Sequence, residues 1–454
     1  VLHYKNKIIP PRPSVTSMPA LLGLVGKEYE ALVLELFDTR KALEETRKEL
    51  SHALYQNDAA VRVVARLAQE RDDARQELMT YKANSPQEEE TDKEPPTKRA
   101  KTTSPSSFEQ KPNGIPPHDL ESMTETWQSL AKERKEKKKS LEVVPPETLK
   151  ELVELDKKNW HKTRNKAGIV DMKFSEKEIV TAGRDKQLIV YSLTSQTLVH
   201  TITIGVVATC VDVNASRVVA GLPDETIAQY VDGAAVGSPL SVGANAVDIS
   251  LHPTGKHVVA IVENGTVAFC GITDSGLNSI YTFQATPETE YASGALHPDG
   301  LICAAGTTTG AVHLWDFKNQ TLADTYESDE TKDSSIVALA FSNSGYHLAV
   351  ATESVVQVYD IRKSKLLFSK TAKDISCMAF DVTGKYLAYG SRSNGVKSGV
   401  SGVHVVTAKE GNDVCRVGDD TAVNNIVWTC PRKLVTSGND DRQVRFYGIQ
   451  DEKE

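Results

Sequence analysis

Two hydrophobic rhythms divide this chain of 454 residues. Between Leu22 and Tyr81 there is no proline, and no glycine after Gly26, and apolar residues return every seven positions. With Leu22 as an a position, Tyr29, Leu36, Leu43, Leu50, Asn57 and Val64 follow in the same series, while Val25, Leu32, Ala53, Ala60 and Leu67 take d positions. The pattern predicts a coiled-coil helix over residues 18–82, on the order of 90 Å long, whose seam must be buried against partner helices. Leu54 and Val61 widen the stripe at e positions and small d residues permit close approach, so a homotetramer is favoured over a dimer. A helix lying on its own domain would show a similar stripe, but the heptad persists for over eight repeats with no second apolar helix nearby. Asn57 either pins the register by hydrogen bonding across the seam or is a tolerated polar defect.

The second rhythm is longer. Seven segments each carry an apolar strand, a small-residue turn and another strand, and the equivalent positions Gly183, Gly221, Val262, Gly306, Thr352, Gly390 and Gly438 lie 38 to 48 residues apart, averaging 42.5. That spacing marks four-stranded propeller blades of the WD type. The runs His252-Pro253-Thr254-Gly255, His297-Pro298-Asp299-Gly300, Ser342-Asn343-Ser344-Gly345 and Asp381-Val382-Thr383-Gly384 each follow an alternating strand and read as hairpin turns between the first two strands of a blade. Only Trp315-Asp316 keeps the signature dipeptide, with Tyr359-Asp360 close to it. An eight-bladed ring or a sandwich would also suit an all-β chain, but seven near-equal units favour seven blades. The expected fold class is mainly β: a seven-bladed WD40-type β-propeller over 155–454, preceded by a long α-helical coiled coil. The last blade has sequence for three strands only, so the ring should close with a strand from before the first blade, around Asn159 to Lys166.

Between these regions, 83–154 reads as a flexible linker with a basic run. Nine of the nineteen prolines fall between Pro86 and Pro146, and Phe108 and Trp127 are the only large aromatics there, too few to build a core. The mixed-charge stretch from Met123 to Lys139 suits a solvated helix within a hinge. Lys98, Arg99 and Lys101 form a short basic cluster that is either a nuclear-import signal or solvated charge.

Charge and composition narrow the function. A net charge of −8 argues against a duplex-DNA binder, and no apolar run is long enough for a membrane span. Direct RNA contact is not expected either, because the basic run Lys132 to Lys139 interleaves Glu133 and Glu136 and holds no aromatic for base stacking. The six cysteines are scattered singly among apolar residues, which reads as reduced filler in strands rather than a metal or redox site. His252, His297 and His347 recur one per blade, the pattern of turn residues rather than of a convergent triad. Trp315 reads as a packing aromatic whose indole N–H needs an acceptor. No catalytic residue, metal site or cofactor is expected.

The segment 49–60, Glu-Leu-Ser-His-Ala-Leu-Tyr-Gln-Asn-Asp-Ala-Ala, with Arg62-Val63-Val64-Ala65-Arg66-Leu67 after it, closely resembles the coil of the pre-mRNA-processing factor nineteen family. Residues 11–22 are similar to the lead-in from that family's amino-terminal U-box. The resemblance implies a nuclear, self-tetramerising scaffold of a spliceosome-associated complex, with splicing-complex proteins including a Myb-type factor as partners, and it favours the import reading of Lys98, Arg99 and Lys101. It also implies a U-box E3 ubiquitin ligase, linked to DNA repair, in which the propeller captures substrate and the U-box receives a ubiquitin-conjugating enzyme. Residues 1–17 would be only the tail of a U-box and its lead-in. The chain begins without Met, so upstream sequence is expected and ligase activity from these residues alone is not. A propeller adaptor without an RNA connection is the remaining alternative.

Overall fold

The computed structural model describes residues 114–140, 143–161, 168–175, 177–392, 402–418, 422–438 and 442–449. The coil seam and the basic cluster at 98–101 lie outside the described residues.

Seven four-stranded antiparallel sheets form the ring, with blades at 169–203, 210–241, 246–284, 291–326, 338–371 and 375–417 and the seventh at 425–448. Strands are lettered A to D from the channel outward. Strands B and C are rich in apolar residues because both of their faces are covered by neighbouring blades, as in His257–Val262 and Val355–Asp360, where every residue is buried. Strand D is the free edge and stays largely exposed, as in Ala234–Ser241. The A–B turns lie where the sequence places them, and Gly255, Gly300, Gly345 and Gly384 occupy them with φ between 68° and 76°. A side chain there would be strained, which is why a glycine recurs in the A–B turns of blades three to six.

Blades are joined by polar pins as well as by apolar packing. Thr209 Oγ1 donates to Ala246 O (2.8 Å), Ser293 Oγ to Ile336 O (2.8 Å), and Asn424 Nδ2 to Ile169 O (3.2 Å), linking blades two to three, four to five and seven to one. On the A–B side, His252 Nε2 lies 2.9 Å from Gly300 O and His297 Nε2 lies 3.0 Å from Gly345 O. A carbonyl can only accept, so Nε2 carries the proton in both rings. Each Nδ1 then accepts a backbone N–H, from Thr254 (3.2 Å) and Asp299 (3.1 Å). Burial pushes both imidazoles down to about 4.

The ring does close with a strand from before the first blade, but that strand is Val153–Lys158 rather than 159–166. It pairs with Val444–Gly448 as strand D of blade seven. Trp160 and His161, inside the expected strand, are instead buried in the core. Trp160 packs 4.7 Å from Tyr191, while His161 bonds Asp185 Oδ1 (2.8 Å) and Thr181 Oγ1 (3.0 Å). Two such buried groups could not occupy an exposed edge.

The linker expectation also gives way over 114–154. Helix α1 (Pro117–Ser140) and the short α2 (Pro146–Leu149) pack on the propeller through Ile115, Met123, Val144, Leu149 and Leu152, all buried. These anchors are few, and they lie three to twenty-one residues apart among charged and proline residues, so they leave no periodic trace.

Candidate functional site

Because strands alternate in direction, A–B and C–D turns share one face of the ring, while B–C turns and D–A connections share the other. The segment 114–152 lies across the first face. Ile115 N donates to Gln320 Oε1 (3.2 Å) in the C–D turn of blade four, and Asp119 Oδ1 meets His257 Nε2 (2.9 Å) where strand B of blade three begins. Met123 is fully buried in a cluster with Phe269, Phe283 and Phe317. Arg134 pairs with Asp299 in the A–B turn of blade four. Tyr386 Oη, in blade six, donates to Val144 O (2.8 Å), after which Leu149 and Leu152 enter the core of blades six and seven. The helix expected to be solvated therefore has one face fixed and the other, with Trp127 at 37% exposure, open to solvent.

The opposite face is uncovered among the described residues and acidic. Asp224, Glu225, Glu263, Glu288, Glu290, Glu327, Asp329 and Glu353 are exposed in the B–C turns and D–A connections of blades two to five, against Lys332 and Lys373. No single stretch of the sequence carries this rim, since its residues come from five separate turns and connections. Such a rim repels polyanions and favours basic protein surfaces.

The residues weighed for chemistry take structural roles. The interiors of blades one to three hold Lys173 Nζ 3.0 Å from Asp248 Oδ1, with Asp171 and Asp212 oxygens accepting the backbone N–H groups of Val211 (2.9 Å) and Leu251 (2.7 Å). Burial raises the Asp212 carboxyl to about 6, with Lys173 opposing. Trp315 Nε1 donates to Tyr291 Oη (2.9 Å), the acceptor its burial requires. Cys210, Cys270, Cys303 and Cys377 are free and buried, Cys415 and Cys430 free and half-buried, and burial pushes the Cys270 and Cys377 thiols up to about 12, far from a reactive thiolate. His347 opens strand B of blade five directly beside the A–B turn, with Nδ1 buried and unbonded. No three His, Cys, Asp or Glu side chains among the described residues are grouped to hold a metal ion.

Residues 14–81 match the Prp19/Pso4-like family, and 282–450 match the nucleolar protein 10-like N-terminal domain family. Over 99% of its length the chain is 29% identical to pre-mRNA-processing factor 19 homolog 2 of Arabidopsis thaliana, covering 87% of that protein. It is 29% identical to pre-mRNA-processing factor 19 of Oryza sativa subsp. japonica and 28% identical to that of Homo sapiens, in each case over 98% of this chain and covering 86% and 88% of the relatives. Along nearly its whole length the chain is similar to proteins named pre-mRNA-processing factor 19. The Prp19/Pso4-like match falls on the heptad region, while the similarity to these homologues runs on through the propeller.

Proposed function

We propose that this chain is an oligomeric scaffold of a spliceosome-associated complex acting in nuclear pre-mRNA processing, its coil holding copies together and its propeller binding partner proteins. The observation that carries the reading is similarity along nearly the whole chain to proteins named pre-mRNA-processing factor 19, including the coil region. A propeller with one face strapped by its own helix and the other an acidic rim suits docking of basic protein surfaces. The self-association expected from the heptads would multiply weak contacts into avidity.

The test is add-back to a splicing extract immunodepleted of its own factor 19. The full chain should restore splicing of a reporter transcript and co-sediment with spliceosomal small nuclear RNAs. Failure of both, with the chain folded and soluble, would leave the adaptor reading in its place.

A further inference from the structure

Blades five and six repeat one local geometry on the strapped face. Ile361 N donates to Tyr346 O (3.0 Å) in blade five, and Ala408 N donates to Lys385 O (2.7 Å) in blade six. The residue ending each A–B turn is thereby set against the opening of its C–D turn. Tyr346, Arg362 and Lys363 from one blade and Lys385 and Lys409 from the next stand at one level of the face, all exposed.

The aromatic is presented with a cation. The Arg362 guanidinium lies 4.0 Å from the centroid of the Tyr346 ring. It is held there by both oxygens of Asp360, at 3.1 and 2.8 Å. Tyr346 remains 40% exposed and Arg362 52%, so the pair offers a flat, oriented surface rather than a buried contact. Asp360 is occupied by Arg362, and Glu410 by Asn412 Nδ2 (2.7 Å). The side chains of Lys363, Lys385 and Lys409 have no polar partner among the described residues. From the side, α1 brings Arg134 so close to Gly345 that a Cβ there would lie 3.0 Å from its Nη1.

We propose that this sector binds single-stranded RNA, with a base stacked on the Tyr346–Arg362 pair and the phosphates running past Lys363, Lys385 and Lys409. A flat aromatic–guanidinium platform is the feature an unstacked base needs. Cations spread over two blades fit a linear polyanion better than a single phosphate group. The helix lacks an aromatic of its own in its basic run, and the ring supplies one beside it. This inference stands apart from the scaffold reading, because it concerns binding by the isolated chain and requires no splicing complex.

Fluorescence anisotropy of the full chain with a labelled oligouridine at about 0.1 M salt tests it. K363E/K385E/K409E should weaken binding at least tenfold and flatten the salt dependence, by about 0.7 in log–log slope for each phosphate that is no longer neutralised. Tyr346→Ala should weaken it about tenfold because the base loses its stacking platform. K332E/K373E, on the opposite face, changes charge in the same sense and should bind nearly as the parent does. Melting curves show whether each variant is folded, and the single variant K409E, on an exposed turn, serves if the triple one is not. Unchanged affinity in the triple and tyrosine variants overturns the site. Equal losses in K332E/K373E would show only diffuse charge attraction and overturn it too. A phosphopeptide of equal charge that binds as tightly as RNA and ignores Tyr346→Ala would reassign the patch to phosphoproteins.

Discussion

The two histidine pins make the propeller acid-labile in a way that can be calculated. In the folded chain His252 and His297 are buried, donate through Nε2 to the next blade's turn, and have pKa values near 4, against an ordinary value of 6.5. The unfolded chain therefore binds two protons that the folded chain refuses between these values, so stability is fully present above pH 6.5 and is lost as pH falls towards 4. A shift of about 2.5 units at roughly 1.4 kcal/mol per unit makes the loss about 3 kcal/mol per histidine. His161, His257, His313 and His347 are also held down by burial and add in the same direction. Asp212 works against them: its folded pKa of about 6 lies above its unfolded value, so its contribution is present at low pH and disappears as pH rises through 6. Denaturant melts at pH 7.5, 6, 5 and 4.5 should compare the parent with H252Q/H297Q, in which an amide can still donate to the glycine carbonyl but cannot take a proton. The variant should be less stable at pH 7.5 by about 1–3 kcal/mol, from imperfect geometry, and should lose markedly less between pH 6.5 and 4.5. Parallel pH profiles for the two proteins would refute the assignment of the acid sensitivity to these pins.

Met123→Ala removes the fully buried anchor of α1 and should raise the free energy of the helix-bound state by about 2–4 kcal/mol, seen as faster amide exchange over 117–134 with little change in the main propeller melt; unaltered exchange would mean the helix is held elsewhere. Deleting 153–158 exposes the edge of Val444–Gly448, and the propeller melt should fall by several degrees or become aggregation-limited; an identical melt would reject that closure. In the coil, L36D/L43D/L50D should convert the expected tetramer to monomers in sedimentation and weaken multivalent partner binding roughly a hundredfold while sparing the propeller melt, whereas a variant that still sediments as a tetramer would disprove the seam from Leu22 to Leu67.

The sequence alone determined the blade count and the positions of the turns. Blades two to six each use a residue with positive φ to reverse between their first two strands, and every blade needs two buried strands to fill the space between neighbours; both demands are local. Gly255, Gly300, Gly345 and Gly384 were legible for that reason. It also marked the histidines as repeating elements, though not that His252 and His297 reach the next blade's carbonyl.

Closing the ring was a different matter. Which polar segment became the last strand was decided by the vacant edge at Val444–Gly448, almost three hundred residues from Val153–Lys158, and nothing in the shorter segment announces its partner. Met123 and Ile115 became core residues only because the ring presents Phe269, Phe283 and Phe317 together at one face. The acidic rim and the Tyr346 sector likewise draw their residues from several turns, so their charge and aromaticity are dispersed along the chain and concentrated only by the closed ring. Local backbone and burial requirements repeat with the chain and can be read from it. Contacts between distant segments depend on which surfaces the finished ring leaves uncovered.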